Sequence, residues 1–527
     1  MKKSNKIIIL LILVIFSLNF CLQESKKIKK KKKTQLKPVK TEYTICYSIP
    51  YKPIDFRPYT IYFNYNNTLY DLVFNTLIES DQARNIKPEL AVKWNINEEF
   101  TEFSFQLRKN IKFTNGKELN TDDVIFTFKE MIKNAFSKFR ELRLIQGAED
   151  FYKGKTNEVK GLKKIDDYNI VFKLNNRFKF FIYFLSGKFA SIVPKNHGGL
   201  SPEEFAKNPI GSGPYYLENY DKNFYLKHKK FYLYAFKKNK NYFFKNNKNN
   251  KLTFYIPHET IDKEFIYLFD ITIFNSQNTI IKNLAKDFTI INSPYIISTI
   301  LCLNTAHNPQ LKNKELRQII NYSLDRERLV YELNNKYLYP AHSIIPKNMF
   351  GNNPYYKLNY NHLNLLLLKY KKQKIKFTLY YYDKQEEIIN AIEKQLIKNN
   401  INIIKKKTTF NDLYVDKKDF DAKIINYLPD YSSTYNFLIQ LYIKDGVAND
   451  FNVSNKAILE KIKELHVLNL EKESLTYSLI NKMIEKESLY IPLFYSSLIY
   501  SIKGKINNLN FKFPTVIDYC TLELEDE

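Results

Sequence analysis

Residues 88–128 constrain the fold more than any other part of the chain, because they carry the marks of two strands, a tight turn and a capped helix in that order. Residues 103–107 alternate apolar and polar side chains, which is the period of a half-buried strand. Asn115-Gly116 marks a tight turn, since both residues tolerate positive φ at low cost. Asn120 stands where a helix N-cap is expected, with two aspartates in the turn after it. The segment predicts an α/β domain.

The same segment resembles the family 5 extracellular solute-binding proteins, which are the oligopeptide, dipeptide and nickel receptors of ABC importers. The family pattern runs close to L-A-x-x-W, then F-x-L-R, then F-x-d-G, and finally A-x-D-V-x-f-s. The matching residues of this chain, in sequence order, are Leu90, Ala91, Trp94, Phe105, Leu107, Arg108, Phe113, Gly116, Leu119, Asp123, Val124 and Phe126.

Two later blocks follow in the order that the family has. Residues 209–215 resemble P-x-G-[ST]-G-P-Y, and two glycines with two prolines predict a rigid structural loop. Residues 303–326 resemble f-N-t followed by v-R-q-A-i-x-y-a-i-D-R. Within that block we interpret Arg317 as part of a structural ion pair rather than as an anion ligand. Asp325 is expected to cap the next helix, with Arg326 and Arg328 exposed.

The resemblance implies an α/β, two-lobed periplasmic-binding-protein-like fold of type II, in the large cluster C form with three subdomains. A ligand cleft is expected between the lobes. Residues 43–78, 195–296 and 490–527 are expected to form a discontinuous lobe I. Residues 79–194 are expected to form an extra subdomain II, and residues 297–489 lobe III. The β-α-β pattern between 375 and 404 fits an α/β lobe.

The N-terminus has the layout of an export signal. Lysines precede an apolar run from Ile7 to Phe16, which is too short to span a bilayer, so residues 1–20 are interpreted as a signal peptide. Leu18 precedes Cys21 as in a lipobox, although Phe20 replaces the usual small residue. Cys21 is therefore predicted to carry the lipid and to become the mature N-terminus. A free exported protein and a thiol within an uncleaved anchor are the alternatives.

Residues 21–42 contain a lysine-rich stretch whose charges repel one another, so a disordered tether is expected. The alternative to a plain linker is contact with anionic lipid head groups. The whole chain has a formal net charge of +27, with lysine far ahead of arginine. An AT-rich codon bias explains this charge, and attraction to acidic ligands or membranes is the other interpretation. No nucleic-acid partner is expected, because the lysines are dispersed and no such motif accompanies them.

Three cysteines remain after Cys21, and their arrangement leaves two interpretations open. A bridge between Cys46 and Cys520 is possible in an oxidising compartment, because both lie near chain ends that meet in the family. Buried free thiols are the alternative for Cys46, Cys302 and Cys520. No motif with metal-ligand spacing occurs, so neither a metal nor a cofactor is expected. No catalytic motif emerges either, and we expect a binding protein rather than an enzyme.

The predicted ligand site follows from residues 420–438, which resemble F-D-x-x-x-x-x-W-x-x-D-Y-x-x-P-x-x-F-L. In peptide-binding relatives the aspartate that matches Asp430 holds the ligand's α-ammonium. Turn capping by Asp430 is the alternative. The other ligand-binding candidates are Tyr427, in place of the family's Trp, the adjacent Asn426 and Tyr431, and Tyr495 of the i-P-l-y-y block, for which a core position is equally expected.

The departures from the family pattern bear on the ligand. Ile424 stands where several peptide receptors carry Arg, so a salt bridge to a peptide C-terminus must come from elsewhere. Leu428 and Pro429 replace small residues, and Pro429 removes one backbone N–H donor. The resemblance implies a monomeric, lipid-anchored receptor that delivers oligopeptides to an ABC permease on the periplasmic side or the cell surface. The alternative is a surface lipoprotein that has lost transport and binds partners through its basic surface.

Overall fold

A computed structural model describes residues 40–525, except for residues 49–53, 61–66, 82, 245–246, 276–283, 285–286, 296, 353–359, 410–411, 414–419, 445, 447, 450, 452–454 and 513–514. Residues 1–39, with the predicted signal peptide, Cys21 and most of the predicted tether, lie outside the described part. Among the described helices, none combines the length and the apolar character that a membrane span needs.

The large sheet has seven strands that come from both ends and the middle of the chain. In spatial order they are Thr289–Asn292, Leu498–Ile502, Ile271–Asn275, Glu42–Tyr47, Lys251–Pro257, Lys229–Lys238 and Tyr215–Leu226. The first strand of the chain is central and pairs in parallel with both neighbours, for example Ile45 with Phe254 and with Ile271. The α-helices Asn67–Val73, Pro202–Phe205 and Lys263–Ile266 belong to the same stretches of chain.

The second sheet has six strands, all from residues 297–496, which we call the second-sheet segment. In spatial order they are Tyr339–Pro340, Tyr490–Ser496, Ile297–Leu303, Ala422–Tyr427, Ile375–Tyr381 and Ile401–Lys407. The last two pair in parallel around a connecting helix, which confirms the predicted β-α-β unit. The α-helices of this segment are Pro309–Lys312, Lys314–Tyr322, Arg326–Glu332, Tyr360–Lys369, Glu386–Leu396, Thr434–Tyr442, Lys456–Glu464 and Leu470–Glu487.

The small sheet has four strands from residues 83–193, which we call the small-sheet segment. They are Ala91–Ile96, Glu102–Leu107, Asn169–Lys173 and Leu162–Lys164. The helices of this segment are Thr121–Ala135, Ala148–Tyr152 and Phe181–Phe184, and 3₁₀ turns include Arg140–Leu144 and Lys188–Ala190. Three two-stranded ribbons complete the described strands: Ile78–Ser80 with Ile86–Pro88, Ile506–Asn508 with Glu523–Leu524, and Phe511–Lys512 with Val516–Ile517.

Residues 88–128 fold as their sequence pattern predicts. Phe103, Phe105 and Leu107 are buried, and the intervening residues are not. Asn120 caps the helix Thr121–Ala135 by accepting from the backbone N–H of Asp122, and Asp123 completes a capping box. The 209–215 loop is structural as expected, since the Gly213 N–H donates to the Val73 carbonyl over 2.8 Å.

The chain crosses between the large and second sheets at two adjacent places. One crossing runs from Asn292 to Ile297, and the other passes through Ser497. They are tied together, because the Ser293 N–H donates to the Leu498 carbonyl over 2.8 Å and the Leu498 N–H donates to Ser293 Oγ over 3.0 Å. The expected boundary at residue 490 is wrong: Tyr490–Ser496 pairs with Ile297–Leu303, so the return to the large sheet lies at Ser497.

The described cysteines Cys46, Cys302 and Cys520 are all buried and none of them forms a disulfide, which agrees with the second of the two interpretations left open by the sequence. One further expectation is corrected. Arg326 is fully buried rather than exposed, while Asp325 caps its helix as predicted. Arg317 has the structural role that was expected, because it donates to the backbone carbonyl of Glu487 over 2.9 Å and lies 3.4 Å from its carboxylate.

Candidate ligand-binding site

The loop 428–433 carries the predicted ligand residues between the strand Ala422–Tyr427 and the helix Thr434–Tyr442. Ser433 is the N-cap of that helix and accepts from the Asn436 N–H over 3.3 Å. The Asn436 side chain in turn accepts from the backbone N–H of Asp430 over 3.4 Å. The loop is thus shaped by Ser433 and Asn436. None of the described residues donates a hydrogen bond to the Asp430 carboxylate, so the turn-capping alternative receives no support.

Asp430 is half-buried as a residue, and its carboxylate is strongly desolvated. Desolvation raises its pKa to about 6, and the negative charge of Glu141 acts in the same direction. The ammonium of Lys138 opposes this shift. A desolvated carboxyl group that has no hydrogen-bond donor among the described residues favours the approach of a cation.

Tyr431 fixes the loop against the small-sheet segment. Its hydroxyl donates to Glu141 Oε1 over 2.7 Å, and both side chains are buried. The ring makes edge contacts with Phe184 and Phe189, each with ring centroids 6.1 Å apart. Tyr431 is therefore placed next to Asp430 but with its hydroxyl already engaged, which makes it a positioning residue for the loop.

Tyr427 and Asn426 lie at the end of the strand that leads into the loop. The Tyr427 ring packs on Phe437 with centroids 4.7 Å apart. Its hydroxyl is shielded from solvent and has no hydrogen-bond partner among the described residues. Burial raises the pKa of this phenol well above its ordinary value, and the charges of Asp430 and Glu141 add to the shift. The Asn426 amide oxygen accepts from Thr299 Oγ1 over 2.8 Å on the neighbouring strand.

Tyr495 lies apart from this group, on the strand Tyr490–Ser496. Its side chain is buried and its hydroxyl has two partners, donating to the Ser343 carbonyl over 2.8 Å and accepting from the Asn352 amide over 2.9 Å. These contacts are those of a core aromatic residue, which was one of the two expected positions.

Lys138 and Glu141 also belong to the candidate site, and the sequence did not predict either residue. They stand in and before the 3₁₀ turn Arg140–Leu144 of the small-sheet segment, about 290 residues from Asp430. Desolvation lowers the pKa of Lys138 to about 8, although the negative charge of Asp430 favours its ammonium form. Neither residue belongs to a recognisable motif, because only the packing of two distant segments brings them to Asp430.

The two segments also pack through a buried ionic and aromatic interface. Glu473 of the second-sheet segment accepts from Arg84 over 2.6 Å and from Lys179 over 2.7 Å. Beside it, the Tyr435 ring stacks on Phe180 with centroids 4.9 Å apart. The loop that carries Asp430 is therefore held between these contacts and the Tyr431–Glu141 hydrogen bond.

Other concave or polar regions lie elsewhere. Cavities of about 420 and 280 Å³ are lined by residues of the small-sheet segment and its surroundings, and neither is lined by a predicted ligand residue. One group of His and carboxylate side chains among the described residues has the spacing of a metal site, formed by His228, Asp262 and Glu264. All three are exposed, and Lys229 neutralises Asp262 over 3.1 Å. We assign no ion to it.

Comparison with known proteins gives the family. Residues 85–449 match the model of "Bacterial extracellular solute-binding proteins, family 5 Middle". The chain belongs to the family 5 solute-binding proteins. This solute-binding protein is similar to the dipeptide-binding protein of Escherichia coli (strain K12), with 31% identity over 184 residues. That match covers 32% of this chain and 34% of the relative, so the aligned part spans about a third of the relative's length.

Solved structures show the same fold. The oligopeptide-binding protein OppA of Haemophilus influenzae, in complex with the peptide RPPGFSPFR, superposes with a TM-score of 0.73 at 18% identity. CtaP, an ABC transporter substrate-binding protein of Listeria monocytogenes, gives a TM-score of 0.76 at 20% identity. Each comparison covers 93% of this solute-binding protein and 100% of the other chain. The expected two-lobed type II α/β fold is thereby confirmed.

Proposed function

We propose that this solute-binding protein binds peptides beside the 428–433 loop and delivers them to the permease of an ABC importer. The similar E. coli protein is named for dipeptide binding, and the H. influenzae structure holds a peptide. The single observation that carries the proposal is the state of Asp430. The residue is half-buried, its carboxylate is desolvated, and among the described residues the carboxylate has no hydrogen-bond donor.

In this proposal the peptide's α-ammonium takes the vacant donor position at Asp430. A charge-assisted hydrogen bond of this kind contributes about 1.5–3 kcal/mol net. The ligand's positive charge also offsets the negative charge that Glu141 and Asp430 share. In this proposal the Tyr427 hydroxyl, which lacks a partner among the described residues, bonds the ligand main chain. Asn426 and Tyr431 position the loop, and Tyr495 is a residue of the core.

Binding is coupled to movement of the second-sheet segment about the two crossings at 293–295 and Ser497. Two short, adjacent connections are the arrangement that permits a hinge, because few backbone torsions must change. In this proposal lobe I consists of residues 43–78, 195–296 and 497–527. The extra subdomain II consists of residues 79–194, and lobe III consists of residues 297–496. The ligand-bound form is presented to the permease, and no chemical step is proposed.

We also propose export and anchoring at the cell envelope. Residues 1–20 act as the signal peptide, Cys21 carries the lipid, and residues 21–42 tether a monomeric receptor to the bilayer. The sequence pattern and the extracellular character of the family support this. Mass spectrometry of the protein from membranes is expected to find a diacylglyceryl modification on Cys21, and an unmodified Cys21 in envelope-bound protein contradicts it.

Isothermal calorimetry tests the binding proposal. The peptide set is the di-, tri- and tetra-alanines, and the variants are Asp430→Asn and Glu460→Gln. Glu460 is an exposed carboxylate of the same segment, pairs among the described residues with Lys463 over 3.1 Å, and serves as the matched control. Asp430→Asn is expected to weaken binding at least about tenfold, since it loses a charge-assisted hydrogen bond. Glu460→Gln is expected to leave the affinity unchanged.

Two outcomes contradict the proposal. If wild type and Asp430→Asn bind the peptides with equal affinity, Asp430 does not contact the ligand. If no alanine peptide binds, and native mass spectra of the purified protein show no peptide, the protein does not bind peptides. The alternative of a surface lipoprotein without transport is favoured by none of the contacts that the described residues make.

A further inference from the structure

One of the two crossings is clamped on both sides of a single residue, Pro294. On one side, Ser293 is tied to the large sheet by two hydrogen bonds with Leu498. On the other side, Tyr295 is tied to the second-sheet segment by Asn348. The Tyr295 N–H donates to Asn348 Oδ1 over 2.8 Å, and the Tyr295 carbonyl accepts from the Asn348 N–H over 3.3 Å. Only Pro294 separates the two clamped residues.

These two clamps confine the bending of the crossing to a short stretch of backbone. The ring of Pro294 fixes its own φ, so the torsions that stay soft between the clamps are the ψ angles of Ser293 and Pro294. At the other crossing, Ser497 is the one residue between a strand of the second sheet and a strand of the large sheet. A rotation of one sheet relative to the other is therefore taken up at these two places, and Asn348 determines where the first of them ends.

Asn348 belongs to residues 343–352, which we call the bridging loop. The loop contains neither a helix nor a strand, yet its two ends are tied to one side chain. The Asn481 amide oxygen accepts from Ser343 Oγ over 2.6 Å, and the Asn481 amide nitrogen donates to the Gly351 carbonyl over 3.0 Å. A loop that is fastened across its ends in this way moves with the second-sheet segment as one unit.

Two residues after Asn348, Phe350 contacts the parts of the molecule that surround the candidate ligand site. The Phe350 carbonyl accepts from the hydroxyl of Thr434, which is the first residue of the helix after the 428–433 loop. The Arg84 guanidinium, which comes from the small-sheet segment, lies 4.0 Å from the centre of the Phe350 ring. The bridging loop therefore carries its hinge contact and its ligand-site contacts within three consecutive residues.

Arg84 links this end of the bridging loop to the packing of the two segments. Its guanidinium is paired with Glu473 over 2.6 Å, and both side chains are buried. Three residues before Arg84, the Asp81 carbonyl accepts a hydrogen bond from Ser432 Oγ of the 428–433 loop. Because a cation is held more tightly over an aromatic ring when both are desolvated, the Arg84–Phe350 contact favours the packed arrangement. Separation of the segments breaks the contacts at Phe350 and at the 428–433 loop together.

We propose that the bridging loop couples the 428–433 loop to the hinge, with Asn348 and Phe350 as its two positioning residues. While the segments are packed together, Arg84 and Thr434 hold Phe350 in place, and Asn348 then holds the Tyr295 backbone. When the segments separate, Phe350 loses Arg84, and the clamp on Tyr295 weakens. Such coupling is carried by contiguous packed contacts. That a ligand drives the coupling rests on the proposed function.

The first arm of the test needs no ligand and follows hydrogen exchange of the Tyr295 N–H by mass spectrometry with electron-transfer fragmentation. Asn348→Ala removes the acceptor and is expected to speed this exchange about tenfold. Asn348→Asp keeps an acceptor oxygen and is expected to restore the slow rate. Asn361→Ala is the matched control, because Asn361 is an exposed asparagine in a helix of the same segment, and no change is expected.

Arg84→Lys tests the coupling itself. Lysine keeps the positive charge opposite Glu473 but loses the planar group over Phe350, so the Tyr295 exchange is expected to become about threefold faster. A residue with a merely local role in packing would leave that distant amide unchanged. Arg143→Lys is the control, because Arg143 is an exposed arginine of the small-sheet segment.

Thr434→Val is a second probe of the coupling, since it removes the hydroxyl that donates to the Phe350 carbonyl. It is expected to speed the Tyr295 exchange as Arg84→Lys does. Circular dichroism verifies that each variant is folded. An unchanged Tyr295 exchange rate in both Arg84→Lys and Thr434→Val overturns the inference.

The second arm adds trialanine at a saturating concentration. It is expected to slow the Tyr295 exchange of wild type at least about threefold, because a ligand that favours the packed arrangement strengthens the clamp. The effect is expected to be smaller in Arg84→Lys. If trialanine binds in calorimetry but leaves the exchange rate unchanged, the coupling of the ligand to the hinge is overturned. If trialanine does not bind, the proposed function fails while the first arm still decides whether the bridging loop is coupled to the hinge.

Discussion

Glu473 accepts a hydrogen bond from Arg84 over 2.6 Å, and this pair, 389 residues apart in sequence, joins the small-sheet and second-sheet segments. Lys179 contributes a second cation over 2.7 Å, and the Arg84 guanidinium lies 4.0 Å above the centre of the Phe350 ring. Arg84 and Lys179 come from the small-sheet segment, whereas Glu473 and Phe350 come from the second-sheet segment. Any opening between these segments must therefore rehydrate a buried ionic triad.

Replacement of Glu473 by Gln is expected to lower the free energy of unfolding by about 3 kcal/mol, because two desolvated cations lose their counter-charge. Urea denaturation followed by circular dichroism measures the change. Glu471→Gln is the control, since Glu471 is exposed in the first turn of the same helix and should change stability by less than about 1 kcal/mol. Equal effects of the two variants would refute a stabilising role for the triad.

Peptide binding is expected to release protons near pH 6. The pKa of Asp430 is raised to about 6 in the free protein, so the carboxyl group is partly protonated there. A bound ammonium lowers that pKa, and the carboxyl group must then lose its proton for the pair to form. Affinity is therefore expected to fall as pH decreases below about 6, by up to about tenfold per pH unit.

Calorimetry at pH 6 in two buffers of different ionisation enthalpy measures the released protons. Glu141 and Lys138 also face Asp430, so the same titration in Asp430→Asn separates their contribution. Proton release that persists unchanged in Asp430→Asn assigns the linkage to another group and contradicts the prediction.

The glycine loop at 209–215 yields a stability prediction. A Cβ atom on Gly211 would overlap the carbonyl oxygen of Val73, which is backbone and cannot rotate away. Gly211→Ala is expected to cost about 3 kcal/mol of unfolding free energy, because the loop must separate from Val73. Gly154→Ala is the comparison: its φ is +72° with open space around the added atom, so about 1 kcal/mol is expected from the backbone alone. Thermal and urea unfolding of both variants test the order, and a smaller loss for Gly211→Ala contradicts it.

Local sequence rules predicted the helices and strands, but they did not predict which residues surround Asp430. The strand at 103–107 and the cap at Asn120 follow from interactions within a few residues, and both are present. Asp430 was found through resemblance to the family. Lys138 and Glu141, which face it, come from a segment that is some 290 residues away. No periodicity or motif links such positions, because their proximity arises only from the packing of the two segments.

Arg326 shows that the local sequence also fails to predict burial in the core. Its charge and its place just after a helix cap predicted exposure, yet the side chain is fully buried. The acceptors that make this possible include the carbonyl of Pro492, which lies 166 residues further on. The nearby carbonyls of Asn321 and Leu324 accept as well. Burial of an arginine depends on acceptors that the fold supplies, and the sequence around Arg326 does not reveal them.

The Arg326 environment leads to a prediction that compares two arginines of one helix. Arg326→Lys keeps the charge but loses the planar fork, so several backbone acceptors remain without donors in the core. The expected loss is about 3 kcal/mol of unfolding free energy. Arg328→Lys is the control, because Arg328 is exposed and pairs with Glu332 over 2.8 Å, which makes a loss below about 1 kcal/mol expected. Urea unfolding at neutral pH measures both variants. A loss at Arg326 no larger than the loss at Arg328 would show that lysine can satisfy the same carbonyls, and the fork would then not be required.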